Sequence, residues 1–201
     1  MDSRQYLISD ARKEQVIKAS IEVLSELGYH KTSLSKIAKE AGISTGLISY
    51  HFDGKADLMR NTLKYLVERE QTTIKEAVEK EDSYTNRLIT FIKVSLNYQH
   101  LNQKDNHALL EIVFNGRTED NVPYYLVEID EDDENQVNDL LKDLLSKGQE
   151  NKEFTDFDPD VIGVIIRGAI SGSVNLPQYE RRSDHDDYSE KIVQSILKMI
   201  R

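Results

Sequence analysis

The 201-residue chain contains no cysteine. That excludes a disulfide framework, a thiolate zinc site and a cysteine nucleophile, and it fits a reducing compartment. The N-terminus, MDSRQYLISD, has no apolar signal core, and the longest apolar run, Val161 to Ile166, is far too short to span a bilayer. The expectation is a soluble, cytoplasmic protein with no membrane partner. Catalytic patterns are missing as well: there is no Gly-rich phosphate loop, no nucleophile elbow, and no pair of histidines at metal spacing followed by a third ligand. The histidines, at 30, 51, 100, 107 and 185, are scattered. The chain therefore reads as a non-enzyme with no cofactor and no metal. It also lacks internal repeats, low-complexity tracts and any stretch of strand-like alternation.

What is present is charge, unevenly placed. The formal net charge of −10 argues against a nucleic-acid partner if taken globally, because phosphates need cations. Residues 1–70, however, hold 11 Lys/Arg against 10 Asp/Glu, whereas residues 71–201 hold 15 against 26. The acidic excess belongs to the later part of the chain, which is excluded as a DNA face.

The most informative stretch is Thr32 to Lys55, TSLSKIAKEAGISTGLISYHFDGK. Thr32 and Ser33 offer N-cap chemistry ahead of the apolar positions Leu34, Ile37 and Ala38. Gly42 reaches the positive φ that a sharp inter-helix turn requires, and the small Ala38 allows close approach. Ser44 then caps a second helix with Leu47, Ile48 and Phe52 facing inward and Thr45, Gly46, Ser49 and Tyr50 facing outward. This is a helix-turn-helix pattern, and its small, polar outer face suits a major groove.

With its flanks, from about Ala11 to Leu58, the segment resembles the TetR family of transcriptional regulators. The matching features are Leu27-Gly28-Tyr29, Thr32-Ser33, Ile37-Ala38, Ala41-Gly42-Ile43-Ser44, Gly46, His51-Phe52, and Lys55 with Asp57-Leu58. Thr45 stands where many members carry Lys, and Ser49 where many carry Tyr, with Tyr50 one position on. Beyond this region only helical character and length agree.

The rest of the chain reads as helices. Residues 1–9 form a short polar lead, read as frayed, with Arg4 its one candidate for a DNA contact; Ser9 or Asp10 caps a helix running to Leu27. Further helices are expected over about 55–80, 85–101, 105–115, 123–148 with Pro123 in its first turn, 158–175 behind Asp158-Pro159-Asp160, and 187–200. Gly163, Gly168 and Gly172 lie inside the 158–175 helix; an interior Gly costs about 1 kcal/mol relative to Ala, so close approach of another helix is expected there. The acidic run Asp130 to Glu134 lacks the ligand alternation and mid-loop Gly of an EF-hand and reads as a solvated face.

The expected fold is all-α with about nine helices: a helix-turn-helix domain over 1–54 and a helical effector-binding and dimerisation domain over 55–201. The resemblance implies a dimeric, ligand-responsive repressor on a near-palindromic double-stranded DNA operator. It assigns base contacts to Ser35, Thr45, Gly46 and Ser49, and phosphate contacts to Thr32, Ser33, Tyr50, His51 and Lys55. It also implies a homodimer through the last two long helices, represented by Ile165, Gly168, Gly172, Ile192 and Ile196. A small-molecule effector would enter a pocket among the middle helices. Phe91, Tyr98, His107, Phe114, Tyr124 and Tyr125 are its candidates, as aromatic walls with polar tips. The alternative is an all-helical protein-interaction module that binds no DNA, consistent with the global acidity.

Overall fold

The computed structural model describes residues 3–118, 120–124, 136–174 and 185–201. Among these residues there are nine helices: α1 (Ser3–Leu27), α2 (Leu34–Ala41), α3 (Thr45–His51), α4 (Gly54–Val78), α5 (Tyr84–Leu101), α6 (Gln103–Asn115), α7 (Gln136–Glu150), α8 (Pro159–Val174) and α9 (His185–Ile200). The only β pairing among them is an isolated antiparallel bridge between Arg117 and Pro123. The acidic run 130–134 lies outside the described residues.

Two compact units form, Met1–Glu68 with Gln103–Glu128, and Arg69–Asn102 with Ile129–Arg201. This division differs from the expected contiguous domains 1–54 and 55–201. The reason is α6, which packs on α1 and places Ala108 and Ile112 in one core with Val16, Leu24, Ile37, Ile48 and Leu58. Helix α4 contributes residues to both units. The second unit has its own core, in which α5 packs against α7, α8 and α9. Leu88, Phe91 and Ile92 of α5 meet Leu141 and Leu145 of α7, Ile166 of α8 and Val193 and Ile200 of α9 there.

Local chemistry accounts for several boundaries. Asp158 Oδ1 accepts the amides of Asp160 (2.9 Å) and Val161 (3.3 Å), so α8 starts at the expected acidic cap. One expectation is corrected. Helix α1 already begins at Ser3, so residues 3–9 are helical and neither Ser9 nor Asp10 is its cap. Of the helix expected over 123–148, residues 136–148 are helical and residues 125–135 lie outside the described residues. Ahead of Pro123, Thr118 N–H donates to Val122 O (2.9 Å) and Tyr124 N–H to Gly116 O (3.2 Å), closing a tight turn. Asn121 takes the left-handed conformation this turn needs, φ 62°. A Cβ at Gly116 would lie 2.3 Å from the Tyr124 ring, so only glycine fits beneath it.

The N-terminus of α5 is held across the second unit. Glu153, just beyond α7, accepts the amides of Tyr84 (3.1 Å) and Thr85 (2.8 Å). These are unsatisfied helix-start donors, and a carboxylate there also meets the positive end of the helix dipole. The Thr85 amide first, then that of Tyr84, holds the Glu153 carboxyl below its ordinary value of 4.5. A depressed acid stabilises the fold above that value and loses its contribution as pH falls through the folded-state pKa. Glu153→Gln should therefore lower the thermal midpoint at pH 7, and the gap to wild type should narrow as pH falls below 4.5. Thermal melts from pH 7 to 3 check this; a gap that stays constant would refute the carboxylate role.

Candidate nucleic-acid interface

The helix-turn-helix is built by consecutive caps. Ser33 Oγ accepts from Lys36 N–H and opens α2, and Gly42, at φ 66°, closes it. The amide of Ile43 then returns to Ala38 O at 3.0 Å, completing a left-handed C-terminal cap. Ser44 Oγ accepts from Leu47 N–H at 3.2 Å and opens α3 two residues after α2 has been capped. Ile37 and Ile48 are fully buried, and Ala38 and Phe52 nearly so, which fixes how α3 rolls against α1 and α2. Gln15 on α1 donates its side-chain amide to Ala41 O (2.8 Å), satisfying a carbonyl at the end of α2.

The roll leaves Thr45, Gly46, Ser49 and Tyr50 exposed together, Tyr50 at 81%. Its ring meets that of His51 edge to face at 5.0 Å. Ser35 is also exposed, with its hydroxyl 3.0 Å from that of Ser33. These seven of the nine expected DNA contacts therefore occupy α3 and the start of α2.

The other two are placed differently. Thr32 is only 3% exposed, and its hydroxyl donates inward to Gly28 O at 2.8 Å. Its side chain locks the α1–α2 turn and does not face outward. Lys55 is half-buried: its ammonium donates to Tyr29 O at 2.6 Å and stands 4.2 Å from the centre of the Tyr29 ring. Burial pushes the Lys55 pKa down, and that of Tyr29 up. Lys55 thus ties the start of α4 to the α1–α2 turn.

Sequence reasoning missed the third partner of that turn. Glu111 Oε2 on α6 accepts the Tyr29 amide at 2.7 Å and a donor from Asn115 at 3.1 Å. Tyr124 OH donates to Ala56 O at 3.1 Å, so the turn after α6 also grips the start of α4. No local pattern announces a bond between residues 82 apart.

The effector candidates divide between the two units. Phe91 and Tyr98 are buried in the second unit, whereas His107, Phe114 and Tyr124 belong to the first. His107 and Phe114 are exposed, Tyr124 holds Ala56, and Tyr125 lies outside the described residues. The proposed dimer residues also divide. On α8, Val161, Val164 and Ile165 are exposed, and a Cβ at Gly168 or Gly172 would meet nothing within 4 Å. No helix among the described residues therefore approaches those two glycines. On α9, Ile192 is half-buried and Ile196, 4% exposed, packs into the core, so Ile196 is not available to a partner.

Residues 16–62 match the model of the family described as bacterial regulatory proteins, tetR family. The N-terminal helix-turn-helix is of the TetR family. The chain is 42% identical over 67 residues to the HTH-type transcriptional regulator BetI of Vibrio campbellii, covering 33% of this chain and 34% of that protein. It is 37% identical over 65 residues to BetI of Yersinia pestis, 32% of this chain and 33% of that one. The chain thus aligns with about a third of the length of these curated relatives. In solved structures the likeness is one of fold and covers most of the chain. The fatty acid degradation regulator FadR of Bacillus halodurans superposes with a TM-score of 0.78 at 22% identity, covering 94% of this chain and 99% of that one. FadR of Bacillus subtilis, solved in complex with stearoyl-CoA, gives 0.73 at 20% identity over 94% and 99%. A TetR family regulator of Marinobacter aquaeolei gives 0.77 at 15% identity over 98% of each chain. At these identities the likeness establishes the fold. These relatives in sequence are transcriptional regulators. Among the described residues, no three His, Asp or Glu groups converge as a metal site, and no helix is long and apolar enough to cross a membrane.

Glu111→Ala removes the acceptor of the partly buried Tyr29 amide. Its unfolding free energy should fall by about 1–3 kcal/mol, the usual cost of a stranded buried donor, and Glu111→Gln, which keeps an oxygen there, should recover part of it. Urea titration of both variants measures the difference.

Proposed function

We propose that the chain is a dimeric, effector-responsive DNA-binding regulator of transcription, acting as a repressor in the cytoplasm. The observation that carries this reading is the outer face of α3: in a TetR-type helix-turn-helix, Thr45, Gly46, Ser49 and Tyr50 are left exposed while Ile48 and Phe52 on the opposite side are buried. Each subunit would set α3 in a major groove, with half-sites about one helical turn apart on an inverted repeat. Ser35, Thr45, Gly46 and Ser49 face base edges in this reading; Ser33, Tyr50 and His51 hold phosphates. Lys55 and Thr32 act behind them by fixing the turn at Gly28-Tyr29. The near-neutral charge balance of residues 1–70 gives modest, salt-sensitive affinity.

Dimerisation uses the exposed face of α8. Val161, Val164, Ile165, Gly168 and Gly172 recur at three- and four-residue spacing, and the glycines allow a copy of the helix to come close. A small-molecule effector bound by the second unit would favour one placement of the two reading heads over the other, with α4 as the element common to both units.

Selection of bound sequences from a random duplex library at moderate salt, then titration of the best duplex, tests DNA reading. The expected result is an inverted repeat bound by two subunits, with affinity falling steeply as salt rises. Recovery of nothing above non-specific affinity would favour the protein-interaction module instead. Sedimentation of Val164→Glu, which sets a charge on the apolar face of α8, should show a shift from dimer to monomer with helicity unchanged. An unchanged dimer would place the interface elsewhere.

A further inference from the structure

Helix α3 has the sequence TGLISYH, and its outward positions carry none of the side chains that grip a base at two points. Guanine is read that way by Arg or Lys through O6 and N7, and adenine by Asn or Gln through N6 and N7. Helix α2 does not supply them from its N-terminal turn: the Lys36 ammonium donates back to Lys31 O at 2.7 Å, and the Ser35 hydroxyl pairs with that of Ser33 at 3.0 Å. What α3 does present in its first turn, the part of a recognition helix that meets base edges, is a methyl-bearing side chain at Thr45 and a bare backbone at Gly46. The ground around Gly46 is open, since an added Cβ would find only Ser44 Oγ, at 3.8 Å. Ser49 adds a single hydroxyl one turn on, which serves adenine and guanine alike. Tyr50 and His51, ring against ring, close the far end of the helix.

One base-edge group fits a small methyl beside an open backbone, and that is the C5 methyl of thymine. We propose that α3 reads its half-site chiefly through thymine methyl groups packed against Thr45 and Gly46, without two-point hydrogen bonding to a purine. Thr45 supplies the apolar contact. Gly46 lets the helix backbone approach closely enough for that contact to form, and Ser49 discriminates little. This inference rests on the DNA-reading function proposed above.

The test uses the full chain and the inverted-repeat duplex recovered by selection. Each thymine of one half-site is replaced in turn by deoxyuridine, which removes the methyl and keeps every hydrogen-bonding group. Each purine is replaced in turn by its 7-deaza analogue, which removes the N7 acceptor. At one or two positions deoxyuridine should weaken binding about fourfold, the worth of one buried methyl. The 7-deaza duplexes should stay within about twofold of the parent, since no two-point contact is lost. Thr45→Ser keeps the hydroxyl and removes the methyl. It should bind the thymine duplex no better than wild type binds the deoxyuridine one, and should be indifferent to the replacement. Circular dichroism of this variant should match wild type. A selected duplex whose binding ignores deoxyuridine everywhere, or falls instead with a 7-deaza purine, overturns methyl reading and leaves the DNA-binding function standing. Failure to select any duplex overturns both.

Discussion

The two polar groups of the Tyr29 backbone hold the reading head together. Its amide is taken by Glu111 of α6, and its carbonyl by the ammonium of Lys55 at the start of α4 and by the Thr32 amide ahead of α2. Backbone donors and acceptors withdrawn from water are almost always partnered, because leaving one unpaired costs more than most single contacts contribute. Both charged partners are themselves partly withdrawn from solvent, where a hydrogen bond to a charge is stronger than in water. One turn therefore decides where three helices sit. The recognition helix inherits its position from them through Ile48 and Phe52, which share their core.

The sequence could be read wherever structure is set by neighbours along the chain. Ser33, Gly42 and Ser44 mark the ends of α2 and α3 because capping is a contact of two to four residues, and Asp158 marks α8 for the same reason. Ser9 and Asp10 misled because cap chemistry says where a helix can start, and a favourable continuation upstream outweighs it. Ahead of Pro123, the left-handed Asn121 and the Gly116–Tyr124 closure make a turn that no helical periodicity reveals. Side-chain role was harder still. Thr32 and Lys55 have the chemistry of phosphate ligands, yet their partners, Gly28 O and Tyr29 O, lie within the protein. Aromatic content likewise identifies Phe91 and Phe114 as similar, although one is buried and the other exposed. Depth is a tertiary property, and no residue type encodes it.

The exposed faces of α3 and α8 differ in kind. The face on α3 is small and polar; that on α8 is apolar with two glycines in it. An exposed Leu or Val is ordinary, whereas several along one helix stripe, beside glycines with open space above them, form a continuous apolar face. The acidic excess belongs to residues 71–201, which carry the second face, whereas residues 1–70, which carry the first, are near neutral.

The bond between Tyr29 and Glu111 also has a consequence in time. A ribosome delivers the helix-turn-helix residues early, but the carboxylate that secures their turn arrives 82 residues later. Because α6 lies on the far side of a chain segment given to the other unit, the reading head is completed only after that segment has emerged. Such distant closure slows folding relative to a head made of neighbours alone. A nascent chain halted before α6 would carry the whole helix-turn-helix sequence and still lack the carboxylate that takes the Tyr29 amide.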